Sequence, residues 1–126
     1  MSEPLLRAIR GATTVQKNES SEILAASREL LEKIALENDL VIEDIVSAFF
    51  TMTPDLDAEF PAVAARGLGW NHIPLLCSQE IPVQGSLPHC IRVLIHLYTK
   101  RTPDSIRHLY LRQAAVLRPD LASTPQ

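Results

Sequence analysis

Alternating and β-branched apolar stretches mark five strand-like segments, and a helical repeat stands between the first two. Leu5 to Val15 predicts a strand that carries Arg7 and Arg10 and ends in Thr13-Thr14-Val15. Asn18 to Ser21 then offer polar caps to a long helix, with Glu19 and Glu22 near its positive end. Ile23, Ser27, Leu30 and Ile34 follow helical spacing, and Leu24 and Leu31 widen the apolar stripe. The stripe is one-sided, so the helix is expected to pack on a sheet. Glu29 and Lys33 are expected to pair across one turn of its outer face.

Ile45 to Thr53 predicts the next strand, stopped by the turn signal Thr53-Pro54-Asp55. Phe60 to Arg66 reads as a short helix with Pro61 in its first turn, ended by Gly67 and Gly69. Ile73 to Cys77 is a short strand with Glu80 just beyond its end, and Pro82, Gly85 and Pro88 mark a loop. Ile91 to Thr99 has the strongest strand pattern in the chain. Thr102-Pro103-Asp104 connects it to a last short strand, His108 to Leu111, and Asp120 to Gln126 reads as a loose tail. Strands interrupted by two helices, in mixed order, predict a two-layer α+β fold in one domain spanning residues 1–126.

Composition narrows the chemistry. The chain has 126 residues, 46% of them apolar, which suffices for a core without staples. Cys77 and Cys90 form no CxxC, and His72, His89, His96 and His108 form no ligand pattern, so neither a disulfide framework nor a metal site is expected. There is no Gly-rich phosphate loop. The net charge is −3 and no basic run tracks a phosphate backbone, which argues against nucleic acid. No apolar run approaches the roughly 18 residues of a membrane span, and the first residues lack a signal-peptide pattern. The expectation is a cytoplasmic protein with no membrane partner.

One charge breaks the strongest strand. Arg92 lies within Cys90-Ile91-Arg92-Val93-Leu94-Ile95, on the face it shares with Cys90, Leu94 and His96 and opposite Ile91, Val93 and Ile95. Arginine stays charged at neutral pH, and burying it unpaired costs about several kcal/mol. It must answer either an internal carboxylate, for which Glu80 is the obvious partner, or an anionic ligand. Arg10 is a second strand arginine, followed by Gly11 where backbone can approach closely. Arg7 has the opposite parity and is expected to be solvated. Cys77 has no activating neighbour in sequence and reads as a small hydrophobe. Arginines, one carboxylate, one thiol and Tyr110 suit holding a small carboxylated molecule.

Seven segments in order carry a further signal: Arg10-Gly11-Ala12-Thr13-Thr14-Val15, Thr53-Pro54-Asp55-Leu56, Phe60-Pro61-Ala62, Cys77-Ser78-Gln79-Glu80, Cys90-Ile91-Arg92-Val93, Arg107-His108-Leu109-Tyr110-Leu111 and Leu117-Arg118-Pro119-Asp120-Leu121. Together they give a chain that resembles the AroH-type chorismate mutases over nearly its whole length. The resemblance implies the Claisen rearrangement of chorismate to prephenate, the step leading to phenylalanine and tyrosine, with no cofactor. It implies a homotrimer with a pseudo-barrel core and active sites between subunits. In that scheme Arg92 would donate to the ether oxygen of the breaking bond, Arg10 would hold a carboxylate, and Glu80 would accept from the ring hydroxyl beside Cys77. Tyr110 would donate to a carboxylate, and Phe60 and Leu117 would pack against the substrate with Ala62 also at the binding site. Arg66 and Arg118 would close the mouth, and the segment carrying Phe60 and Arg66 would come from a neighbouring chain.

The chain departs from the family pattern at Val63, where a lysine can occur, at Leu76, where a small hydroxyl residue can precede the cysteine, and in a short Gly67-Leu68-Gly69 connector. These changes touch the rim. The competing expectation is a trimeric carboxylate-binding or regulatory module, or a YjgF-like deaminase on a similar scaffold, because a fold by itself does not fix function.

Overall fold

A computed structural model describes residues 3–122. Five strands form one mixed sheet: β1 (Leu5–Thr14), β2 (Ile45–Met52), β3 (Leu75–Gln79), β4 (Cys90–Thr99) and β5 (Leu109–Tyr110), in the order β3-β2-β4-β1-β5. The strand with the strongest apolar pattern, β4, is central and pairs antiparallel with β1 and β2. The flanking pairs β2–β3 and β1–β5 are parallel. A central strand must bury at least one full face, which accounts for Ile91, Val93, Ile95 and Leu97 at alternate positions.

Helix α1 (Ser20–Asn38) covers that face with Ile23, Ala26, Ser27, Leu30, Leu31 and Ile34, and the short α2 (Ala62–Gly67) extends the layer. The main core joins Leu30, Leu31 and Ile34 to Ile9, Phe50, Val93, Ile95 and Trp70. Gly11 sits under α1, where a methyl group would lie 2.7 Å from Ile34 Cδ1 and 3.3 Å from the Leu109 carbonyl. The close approach anticipated at Gly11 is therefore made by the helix.

Several expectations change in detail. The polar residues before α1 do not cap it; Glu19 occupies the cap position with no side-chain bond. Asn18 Oδ1 instead accepts from the backbone N–H groups of Asp57 and Ala58, both at 3.1 Å, tying the helix start to the segment before α2. Glu29 pairs with Arg112 at 3.2 Å, not with Lys33, and the one-turn ion pair on α1 is Arg28–Glu32 at 3.3 Å. The third strand runs Leu75–Gln79, later than expected, because Pro74 has no N–H to give the ladder; its carbonyl still accepts from Ala48. Of the residues expected as a loose tail, 120–122 belong to a short helix, α3 (Pro119–Ala122), and 123–126 lie outside the described residues. No helix among the described residues is long and apolar enough to cross a membrane.

Among the described residues no α-helix covers the other face of the sheet; the 3₁₀ segment Arg112–Leu117 buries its Ala12–Cys90 end through Ala114 and leaves the rest open. Leu6, Phe49 and Tyr98 are exposed there at 52%, 41% and 49%.

Candidate active site

The β1–β4 register puts Ala12 opposite Arg92 and Arg10 opposite Leu94. Arg10 and Arg92 are thus diagonal neighbours on the open face, within reach of a common small ligand. On the other flank of β4, Thr51 lies opposite Arg92. Glu80 follows the end of β3, where its N–H donates to the Met52 carbonyl at 2.9 Å. From there its carboxylate accepts the Thr51 hydroxyl at 2.6 Å and meets Arg92 Nε at 2.9 Å.

The two readings left open for Arg92 therefore both hold something true. It does have an internal carboxylate, but the contact is a charge contact at hydrogen-bond distance whose Nε–H is not aligned on the oxygen. Its side chain is also 43% exposed, against 15% for Glu80, so much of the guanidinium faces open space. Arg10 has no carboxylate or side-chain hydrogen-bond partner among the described residues. Two cations and one carboxylate leave the cluster one positive charge in excess.

Arg10, Thr51 and Arg92 border a cleft of about 420 Å³ that Tyr110, Leu117, Arg118 and Phe49 also line, with Glu80 reaching it through Arg92. The β5 segment and the 3₁₀ segment Arg112–Leu117 bring in the first two. Arg118 is held to Asp120 at 2.9 and 3.2 Å, at the mouth. Behind Arg92, Cys90 is fully buried among Ala12, Ala114 and their neighbours. That burial, helped by Glu80 and Asp55 and opposed by Arg92, pushes its thiol up to about 11, so no thiolate competes for the guanidinium.

The remaining sequence candidates lie elsewhere on the chain. Cys77 is opposite Phe50, on the helix-covered side of the sheet, where it packs against the main core. Phe60, Ala62, Arg66 and Cys77 line a separate recess of about 350 Å³ with Leu75 and Leu76. One chain thus brings Arg10, Glu80, Arg92, Tyr110, Leu117 and Arg118 together and keeps Phe60, Ala62, Arg66 and Cys77 apart from them. Arg7, expected in solvent, is only partly exposed, with its Nε buried and unbonded beside the α1 layer. Strand parity put it on that face; the depth of packing there did the rest.

Thr51, Phe49 and His108 were not singled out from the sequence. The first two share the open-face parity of β2, a signal that becomes usable once β2 is known to neighbour β4. A larger cleft of about 850 Å³, near Thr14 and Arg112, is less suited to an anion. Its Arg112 already meets Glu29 and the Thr14 carbonyl, and its Glu22 accepts from the N–H groups of Gln16 and Lys17.

The profile of the family described as chorismate mutase type I matches residues 6–121. That span includes every side chain of the cleft. The chain belongs to the type I chorismate mutase family. It is 49% identical over 121 residues to chorismate mutase AroH of Bacillus subtilis strain 168, covering 95% of both chains. To chorismate mutase AroH of Thermus thermophilus it is 47% identical, over 94% of this chain and 98% of the relative. Among solved structures, a chorismate mutase from Clostridium thermocellum superposes with a TM-score of 0.86 at 50% identity, covering 87% of this chain and 98% of that one. Family membership supports the mutase expectation and lends nothing to the deaminase or regulatory alternative.

Proposed function

We propose that this chain is a cytoplasmic chorismate mutase that rearranges chorismate to prephenate on the way to phenylalanine and tyrosine. The observation that carries the mechanism is the Glu80–Arg92 pair. A carboxylate anchored by Thr51 holds one side of the guanidinium at 2.9 Å and leaves the rest exposed to the cleft. The reaction is pericyclic and needs no nucleophile, proton transfer or cofactor. Two effects lower its barrier: holding the substrate in its reactive pseudo-diaxial shape, and fixing charge where charge develops.

As the C–O bond stretches, the ether oxygen gains negative character and the ring gains positive character. Arg92 donates to that oxygen and to a carboxylate. Glu80 accepts from the ring hydroxyl and faces the positive ring. Arg10, whose side chain has no partner among the described residues, takes a carboxylate, and Tyr110 donates to one. Leu117 packs against the ring, and Arg118 exchanges Asp120 for the substrate as the mouth closes. A typical acceleration of ~10⁶ requires about 8 kcal/mol, and a single well-placed donor supplies ~3–4 kcal/mol. A guanidinium that substrate and a neighbouring subunit then shield from water, added to orientation, meets that requirement.

The separation of the two recesses supports a site shared between subunits of a homotrimer, built around the open sheet faces as a pseudo-barrel. Phe60, Ala62 and Arg66 of one chain would then complete the Arg92 cleft of the next, and Cys77 would flank the substrate from that side. The apolar residues Leu6, Phe49 and Tyr98 on the open face suit such an assembly. The test is loss of chorismate absorbance with purified protein and no additive. Turnover is expected without metal or nicotinamide; a requirement for either would overturn the reading.

A further inference from the structure

Strand β5 is two residues long, yet it delivers Tyr110 to the cleft. Side chains supply what a longer ladder would. Toward α1, Asn38 imitates a neighbouring strand: its Oδ1 accepts from the Arg107 N–H at 2.8 Å, and its Nδ2 donates to the Arg107 carbonyl at 2.9 Å. Toward β1, the ladder pairs Gly11 with Leu109 and Ala12 with Tyr110, and the Leu111 N–H donates to the Ala12 carbonyl at 2.9 Å. One rung earlier the ladder would run out. There the Arg10 N–H donates to His108 Nδ1 at 2.9 Å.

A backbone N–H can only donate, so Nδ1 must present its lone pair and the ring proton must sit on Nε2. The surroundings enforce that state. Burial first, then the nearby cations Arg10 of β1 and Arg118 beyond the 3₁₀ segment, hold the His108 pKa below the ordinary imidazole value.

We propose that His108, as a neutral imidazole protonated on Nε2, is a positioning residue that bolts the Arg10 backbone to β5 and so fixes the spacing of Arg10 and Tyr110. The proposal rests on reading the cleft as the chorismate site, in which those two side chains receive carboxylate. Protonating the ring sets donor against donor and adds a third cation beside Arg10 and Arg118, which opens the bolt. Because Arg10 and Tyr110 bind the substrate's ends while Arg92 serves the breaking bond, loss of the bolt falls on KM more than on kcat.

Three variants and one spectrum test this. Nitrogen-15 chemical shifts of the His108 ring at neutral pH should show Nδ1 unprotonated and Nε2 protonated. His108→Leu, which removes the acceptor, should raise KM for chorismate up to about ten-fold and change kcat little, the usual size of losing one net hydrogen bond. His108→Asn places an oxygen near the Nδ1 position and should restore KM, whereas His108→Gln, whose oxygen lies near Nε2, should not. The wild-type KM should rise on the acid side, and the His108→Asn KM should stay flat there, because an amide cannot take the proton. A protonated Nδ1, an unchanged KM in His108→Leu, or equal defects in the Asn and Leu variants would each overturn the proposal. A wild-type protein with no chorismate turnover would instead strike the reading of the site, while the nitrogen shifts would still decide the state of the bolt.

Discussion

Arg92 is the residue on which the chemistry turns. Its neighbours can be replaced in thought more easily than its shape. Arg92→Ala should lower kcat/KM by about 10²–10³ or more, the measured scale for removing one transition-state donor. Circular dichroism should remain that of a folded protein, since the side chain is 43% exposed and supports little core. Arg92→Lys should also be poor, because an ammonium cannot keep Glu80 on one side and offer a planar fork to the substrate on the other. Turnover near wild type in either variant would refute the assigned role. Cys77→Ala should retain most activity, because its thiol has no covalent part and packs against the core. At this scale the sequence was informative where parity decides: Arg92 and Arg10 share the open face, as alternation along their strands indicates. It was silent where a partner is chosen through space. Glu29 has Lys33 within one turn, yet it reaches Arg112, which is distant in sequence and arrives only with the tertiary fold.

Among the elements, Gly11 and the β2–β4 corner set how well the site is held. Gly11→Ala would push a methyl group to 2.7 Å from Ile34 and 3.3 Å from a fixed carbonyl. Overpacking of that kind costs about 1–3 kcal/mol, and it should lower the melting temperature and disturb Arg10 next to it. At the corner, the Asp55 carboxylate accepts from the Thr53 hydroxyl at 2.5 Å and from the His89 N–H at 3.0 Å, while Thr53 Oγ1 accepts from the Cys90 N–H at 2.9 Å. Burial alone would raise the Asp55 pKa, but these hydrogen bonds and the nearby His89 outweigh it and leave it lowered. A carboxyl group lowered in the folded state stabilises above its unfolded pKa, and that contribution is lost as pH falls through the folded value. Urea midpoints should therefore drop between neutral pH and about pH 3, and Asp55→Asn should flatten part of that drop. Equal slopes in both proteins would contradict the role. Element types were largely legible in the chain, and so was the one-sided helix. Boundaries moved where backbone chemistry intervened, as at Pro74, and the two-residue β5 depends on Asn38 and His108, which no periodicity reveals.

For the whole molecule, the open sheet face is the deciding surface. Leu6 lies opposite Tyr98 there, at the end of the sheet remote from Arg92, and both are about half exposed. If the proposed trimer is built on this face, Leu6→Asp should weaken it in sedimentation velocity and lower kcat/KM with it, while each chain stays folded. Full activity in a monomeric variant would refute the shared site. The division of candidates into two recesses was implied for Phe60 and Arg66 only by the family resemblance and was not implied for Cys77, because no spacing along the chain parts these residues from the Arg92 cleft and only the sheet order does. That order has one more effect. β1 pairs with β4 from Leu5↔Thr99 to Thr14↔Cys90, and Arg10 is bonded to His108 across 98 positions. Contacts between residues so distant along the chain form slowly, and a ribosome supplies them last. Arg10 cannot meet Arg92 until residue 92 has emerged, nor Tyr110 until residue 110 has. The nascent chain is thus catalytically silent until its first strand has docked on segments made long after it, and activity marks that docking.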